Sequence, residues 1–251
     1  MDEDVLTRRG FLLTRRGFLG LIGSACCLFG EVVGAGKNLV QARAAVDHLL
    51  LGAADLDRGI EWVEKLTGMK AVRGGSHPGV GTRNALISLG GRRYLEIIAP
   101  DPAQAAYNFP IDVRALAEPR LITWAAATSD ITAVAKNAHE AGQQILGPRD
   151  GTRARPDGKV LQWKSLGVMN KFGMQGVEPI PFFIQWAADS PHPSQDSPKG
   201  CELQSFEIEH PDPAGVSEAL KKLGIGAKVR RAGKAALKAT VKTPRGRVKL
   251  G

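Results

Sequence analysis

Along this chain the apolar positions switch between a period of two and a period near 3.6, and the switch repeats. Residues 46–52 (VDHLLLG) alternate as a half-buried strand does, which predicts Val46, His48 and Leu50 on one face. Leu56, Ile60, Val63 and Leu66 then fall at helical spacing. Asp55 stands before them as a helix cap and Gly68 after them as a stop. A short strand at 69–73, a Gly-rich loop at 74–82, a strand at 83–89, a tight Gly90-Gly91 turn and a strand at 93–99 complete a βαβββ unit.

The same opening returns twice. Strand, Asp, amphipathic helix and Gly recur with Asp130 and Gly142, and again with Asp212 and Gly224, at spacings of 13, 12 and 12 residues. The second unit opens with 121–128 (LITWAAAT), turns Ile131, Val134 and Ala138 inward, and has later strands at 160–166 and 181–187. The third opens at 203–209, runs through Asp212-Pro213 into a helix lined by Ala219, Leu220 and Leu223, and closes with strands at 228–231, 237–243 and 247–250. A Pro-containing connector (101–119) and a Pro/Ser/Asp loop (188–200) separate the units. Repetition of one supersecondary unit predicts a single curved sheet. The fold class is α+β: repeated βαβββ units forming a cupped mixed β-sheet with helices on the convex face.

Composition adds modest constraints. Hydrophobic content of 43% suits a soluble globular protein, and an aromatic share of 6% favours a core of small, β-branched and Leu side chains. The formal net charge is +9, yet residues 221–251 alone hold eleven basic side chains and no acid. Basic residues on outer strands discourage edge-to-edge pairing. Contact with anionic lipid or another polyanion is the alternative. Nucleic acid is not an expected partner, because aromatic side chains do not interleave the basic ones. The cysteines, Cys26, Cys27 and Cys201, have no C-x-x-C spacing, which argues against a thiolate zinc site.

The N-terminus carries TRRGFLL (7–13) and TRRGFLG (14–20), both similar to the twin-arginine export motif. The apolar run at 18–30 is 13 residues long, short of the about 20 needed to span a bilayer. Ala42-Arg43-Ala44 places small residues at the −3 and −1 positions of a cleavage site. This resemblance implies a signal peptide at 1–44, recognition by the Tat export machinery, and a periplasmic or secreted mature protein. A short amphipathic or buried helix is the alternative.

VDHLLLGAADLDRGIEWVEKLTG and GGSHPGVGTRNALISLGGRRYLEIIAPD resemble the glyoxalase-like members of the vicinal oxygen chelate (glyoxalase/bleomycin resistance/dioxygenase) superfamily. The similarity continues more weakly through TWAAATSD, PDGKVLQW and PFFIQW to about residue 193. It implies a domain at 45–200 built from units 45–101 and 120–190, followed by a third βαβ-type unit with basic strands at 201–251. Such domains pair their units into an open cup whose concave side binds a divalent metal and a small-molecule ligand. A homodimer is compatible with this arrangement. The superfamily's reactions include isomerisation, epimerisation, ring cleavage, thiol transfer and drug sequestration, so the resemblance does not fix the reaction.

The superfamily takes one metal ligand from a unit's first strand and another from its last, which here implies His48 and Glu96. The residues point the same way. Glu96 shares a strand face with Tyr94 and Ile98, and a buried carboxylate needs a partner or a cation. An imidazole with a carboxylate suits Zn, Ni, Mn or Fe(II); a structural His–Glu hydrogen bond is the alternative. In the second unit the counterpart of His48 is Thr123 or Trp124, and the counterpart of Glu96 is Gln185, a weak third ligand. The two-His-one-carboxylate pattern of ring-cleaving dioxygenases is not visible at these positions.

His77, Thr82, Arg83 and Asn84, in the stretch SHPGVGTRN, are expected at the mouth of the cup to meet a carbonyl or carboxylate, with Arg83 as an anion clamp. A structural turn is the alternative. Glu96 or His77 could act as base, and Trp186 could touch the ligand. His139 is expected in solvent, and His192 and His210, each before Pro, at loop or strand ends. No phosphate loop or dinucleotide fingerprint is present, so no nucleotide cofactor is expected; nucleophile-elbow and zincin motifs are also missing. The sequence thus predicts a metal-dependent lyase or isomerase, or a non-catalytic small-molecule binding protein.

Overall fold

The computed structural model describes residues 38–251 apart from Pro156. The twin-arginine motifs and the apolar run behind them lie outside these residues. A lead-in of β1 (Val40–Gln41) and α1 (Ala42–Ala45) precedes the first unit. That unit is β2 (Val46–Gly52), α2 (Leu56–Thr67), β3 (Val72–His77), β4 (Thr82–Ser88) and β5 (Tyr94–Pro100). The second is β6 (Arg120–Ala127), α3 (Ile131–Glu140), β7 (Ile145–Ala154), β8 (Val160–Val168) and β9 (Phe182–Trp186). After α4 (Pro193–Asp196), the third comprises β10 (Glu202–His210), α5 (Pro213–Lys222), β11 (Ile225–Gly226), β12 (Val229–Arg231), β13 (Ala236–Thr243) and β14 (Gly246–Leu250).

The helices start and stop on local chemistry. Asp55, Asp130 and Asp212 each accept a hydrogen bond at 2.9 Å from the backbone N–H three residues ahead, which satisfies a donor the first turn cannot pair. Gly68 ends α2 at φ 78°, a left-handed conformation in which a side chain would be strained.

The first two units build one eight-stranded sheet in the order β3-β4-β5-β2-β6-β9-β8-β7. Each half places its first strand at the middle of the sheet, parallel to its own last strand, and the antiparallel pair β2–β6 joins the halves. Curling brings the two ends together. Gly74 and Gly75 of β3 lie so close to Arg153 and Ala154 of β7 that an added Cβ at Gly75 would stand 3.0 Å from the Ala154 carbonyl oxygen. The strand β7 (ILGPRDGTRA) is an addition to the sequence reading. Its Gly and Pro residues and exposed positions hide it from periodicity, and Pro is tolerated there because the strand is an edge.

The third unit does not extend this sheet, contrary to the single curved sheet expected from the repeats. It forms a separate four-stranded sheet, β12-β10-β13-β14. With the ends of the eight-stranded sheet folded against each other, the third unit instead packs on the convex face. Phe206 meets Trp124 edge-on at 5.0 Å, and Ile208, Leu237 and Val241 join the core that holds Leu49, Leu51 and Val63. The edge strand β14 exposes Arg247 and Lys249, the arrangement that discourages further pairing. The expected signal boundary at Ala44 falls inside α1; Ala42 and Ala45 there are buried, and β1 before it pairs with β11.

Candidate active site inside the cup

The site is set by one irregularity in β2. Its ladder with β6 skips a residue between Val46 and His48, so Asp47 occupies a β-bulge. The bulge changes side-chain parity. Val46 packs in the helix-side core with Leu49 and Leu51 rather than sharing the face of His48 and Leu50, as simple alternation predicted. It also lets neighbouring side chains meet: His48 Nδ1 lies 2.8 Å from Asp47 Oδ1.

Asp47 is buried and accepts from three directions. His48 Nδ1–H donates to Oδ1, while Trp186 Nε1–H (3.1 Å) and His192 Nε2–H (3.2 Å) donate to Oδ2. The tautomer of His192 follows from its other nitrogen, which accepts the Ser194 backbone N–H at 3.2 Å. Burial pushes the Asp47 carboxyl up, but the bonds and charges of His192 and His48 outweigh it and hold the group at about 2.

On its far side His48 Nε2 faces Glu96 Oε2 at 3.4 Å. The ring is stacked on Tyr94, its ladder partner on β5, at 4.5 Å between centroids and 18° between planes. The other Glu96 oxygen, Oε1, accepts from Asn84 Nδ2 at 2.7 Å. Asn84's orientation is fixed by Arg153, which can only donate and therefore must face Oδ1. Arg153 comes from β7, at the opposite end of the sheet, and is itself buried.

Asn84's second N–H then points at His77 Nε2, 3.2 Å away, so that nitrogen accepts and His77 Nδ1–H donates to Thr82 Oγ1 at 2.9 Å. Burial holds His77 below its ordinary value, in agreement with this neutral form. Burial also pushes Glu96 up, yet the neighbouring His48 and His77 rings, the Asn84 bond and Arg153 together bring it below the usual carboxylate value. Tyr94 is raised well above its ordinary value by burial, with the negative charges of Asp47 and Glu96 adding to the effect. The arrangement is an ionised carboxylate between two imidazoles, one of them anchored from behind by a second carboxylate. Such a group can accept a proton from carbon and return it.

The structure therefore brings together His48, His77, Thr82, Asn84, Glu96 and, through Asp47, Trp186. Two expected members lie elsewhere. Gln185 points away from the cup, where its Oε1 accepts the backbone N–H of Ile131 at 2.8 Å and caps α3. Arg83 alternates outward between Thr82 and Asn84, and its guanidinium stands 4.0 Å from Asp55 on the outer side. Neither can be a metal ligand or an anion clamp in the cup. Of the second-unit counterparts of His48, Thr123 lines the cup opposite Leu50, whereas Trp124 faces the core and donates to the Pro179 carbonyl oxygen. His139 is exposed as expected, and His210, at the end of β10, is buried and bonded to the Phe172 carbonyl oxygen.

Asp47 and Arg153 were not singled out from the sequence, and His192 was raised only as able to reach the cup rim; all three are buried and hydrogen-bonded to the cluster. Burial with hydrogen bonding across distant segments is what marks them, and no local sequence signal carries it.

A metal ion finds two donors here. Ligands at about 2.1 Å on one ion stand roughly 3.0–3.4 Å apart, which fits His48 Nε2 and Glu96 Oε2 at 3.4 Å. Among the described residues, no set of three His, Cys, Asp or Glu side chains is arranged to hold a metal ion. The donor set thus falls short of the three or four that protein sites supply.

Beside this cluster lies a cavity of about 740 Å³. Neither His48, His77 nor Glu96 lines it; Leu50, the ladder partner of Glu96, and Phe182, whose ring is 5.6 Å from that of His48, form the wall between them.

In comparisons with known proteins, no curated protein matches the sequence. The fold is similar to that of a hypothetical protein from Staphylococcus aureus, with a TM-score of 0.58 at 17% identity over 76% of this chain and 87% of that one. Methylmalonyl-CoA epimerase from Streptomyces coelicolor gives a TM-score of 0.42 at 22% identity, covering 60% and 99% of the two chains. That of Mycobacterium tuberculosis gives 0.38 at 19%, covering 60% and 93%. A family model, that of the glyoxalase-like domain, matches residues 46–224, which takes in both halves of the curled sheet and the strand and helix that open the third unit. With the cupped α+β fold and this match along most of its length, the chain belongs to the glyoxalase-like domain family.

Proposed function

We propose that the chain is an exported protein that takes a small organic molecule into its cup and moves a proton on it, as an isomerase or lyase does. The observation that carries this reading is the line Asp47–His48–Glu96, in which one imidazole is pinned at Nδ1 and faces an ionised carboxylate through Nε2. Glu96 accepts a proton from the carbon next to a carbonyl group, and the electron pair left behind moves onto the carbonyl oxygen. His48 stabilises that charge through Nε2–H when its ring carries both protons, Asp47 holding the Nδ1–H. Return of the proton to the other face or a neighbouring atom completes an isomerisation; departure of a leaving group completes an elimination. His48 and Glu96 would supply only two ligands to a divalent cation; completed by substrate or water oxygens, such an ion would add polarisation of the substrate oxygen.

The test is solvent deuterium incorporation into a panel of small carbonyl compounds, followed by NMR. Glu96→Gln is expected to lower incorporation by roughly 10²–10⁴-fold while the protein stays folded. No incorporation into any compound that binds would overturn the reading. Metal analysis of the wild type beside His48→Ala reads the cation directly; stoichiometric metal lost in the variant would place an ion on this pair. For export, the repeated twin-arginine motif is the support. Replacing Arg8, Arg9, Arg15 and Arg16 by Lys should retain the protein in the cytoplasm on fractionation, and unchanged export would sink that part.

A second reading, a non-catalytic binding protein, is favoured by one observation: the large cavity is walled off from the titratable cluster by Leu50 and Phe182. It predicts tight ligand binding that survives Glu96→Gln with no proton exchange.

A further inference from the structure

The cavity is lined largely by apolar side chains, among them Leu50, Phe109, Ile111, Leu116, Val177 and Phe182. Its volume, about 740 Å³, is that of sites that enclose a drug-sized molecule. Three charged side chains reach it: Asp112, Arg120 and Glu178. Asp112 is already held by Arg114, whose Nε and Nη2 donate to it at 2.9 and 2.8 Å. Glu178 accepts the Ile180 backbone N–H at 3.0 Å, and burial shifts its carboxyl toward the neutral form.

Arg120 is different. Its Nη2 donates to the backbone carbonyl of Gln175, but its Nε is buried with no partner, and among the described residues it makes no ion pair. The carbonyl it uses is presented by a tight turn in which Gln175 and Gly176 both have positive φ (50° and 74°), bracketed by paired hydrogen bonds of 2.9 Å between Met174 and Val177. The guanidinium therefore reaches the cavity without an acidic partner among the described residues, and a ligand carboxylate would supply one.

We propose that this cavity binds an amphipathic carboxylate, with the apolar body along Leu50 and Phe182 and the carboxylate on Arg120. The strand register gives its span. Arg120 pairs with Gly52 and lies four residues along β2 from His48, which is about 13 Å at roughly 3.3 Å per residue. Leu50 and Phe182 stand between the cavity and His48, so the bound carboxylate lies beside the titratable cluster and the proposal does not depend on the chemistry under Proposed function.

The experiment is titration calorimetry of the purified protein with hexanoate, octanoate, decanoate and 1-octanol. Octanoate is expected to bind roughly tenfold or more tightly than 1-octanol, since a charged hydrogen bond distinguishes them. Affinity rises with chain length to decanoate. Arg120→Gln brings octanoate and 1-octanol level, and Arg120→Lys restores part of the preference. Leu116→Trp, which fills the cavity, removes binding of both, with circular dichroism confirming that each variant is folded. Equal affinity for octanoate and 1-octanol in the wild type, no binding of octanoate at millimolar concentration, or a preference that survives Arg120→Gln would each overturn the proposal. Deuterium incorporation reads the proton-transfer chemistry and octanoate preference reads the cavity, so either can fail while the other stands.

Discussion

Where β5 turns Glu96 into the cup, β9 turns Gln185 out of it to cap α3; where β2 offers His48, the facing position on β6 is Ala125. The two halves of the sheet have one strand order and opposite interiors. In the first, Asp47, His48, His77, Asn84 and Glu96 form a connected polar network. In the second, Thr123 and Phe182 open onto a largely apolar cavity reached by Arg120, which among the described residues makes no ion pair. A buried polar network is tolerable when its members are satisfied and costly when one is missing. Duplication of a unit therefore does not require duplication of its chemistry. One copy can keep the imidazole and carboxylate at its centre while the other gives up its own pair and becomes a container.

The sharpest way to break this comparison is Asp47→Ala. It leaves the donors of His48, His192 and Trp186 buried without an acceptor, and a loss of about 3–5 kcal/mol is expected in urea denaturation. The same group gives the first half an acid-sensitive stability. Its carboxyl is depressed from 3.8 to about 2, so its contribution, about 2 kcal/mol, is fully present above the unfolded value and fades as pH falls from about 4 towards 2. The acid limb of the wild-type stability curve should be steeper than that of Asp47→Ala; matching limbs would show that the depression is not there.

Gly74→Ala tests the contact between the halves. A Cβ at that position would lie 2.3 Å from Asn84 Oδ1 and 2.6 Å from Arg153 Nη1, so the Arg153–Asn84 bond must give way. The expected cost is about 1–3 kcal/mol, with proton-exchange activity falling by more than thermal stability explains. Smallest is Gln185→Ala. It should cost about 1 kcal/mol by uncapping α3 and leave ligand affinity unchanged; a marked loss of affinity would put Gln185 back among the binding residues.

Local features of the fold were readable before the structure. The three Asp caps act through hydrogen bonds within four residues, and strand parity alone put Glu96 beside Tyr94 and Ile98 on one face. His48 and Glu96 were named by the family resemblance, which takes one ligand from a unit's first strand and one from its last, and the fold sets the two side chains 3.4 Å apart. Asp47 was hidden because a bulge breaks parity, and nothing in VDHLLLG announces a skipped residue. His192 read as a loop residue before Pro, yet it is fully buried because α4 packs it under Asp47. Arg153 lies on a strand whose composition conceals it, and its role exists only after the sheet has curled. Arg83 and Gln185 were misplaced by a residue type that suits chemistry on a face that does not reach it.

The contact of Arg153 with Asn84 makes the two units inseparable. The carboxamide that steers Glu96 and His77 is held from residue 153, on the far end of the sheet. A fragment ending at residue 101 would keep both histidines and the glutamate but lose the group that decides which way the amide faces, and with it the distinction between a proton acceptor and its neighbour. What began as two copies of one motif has become a single instrument that neither copy can play alone.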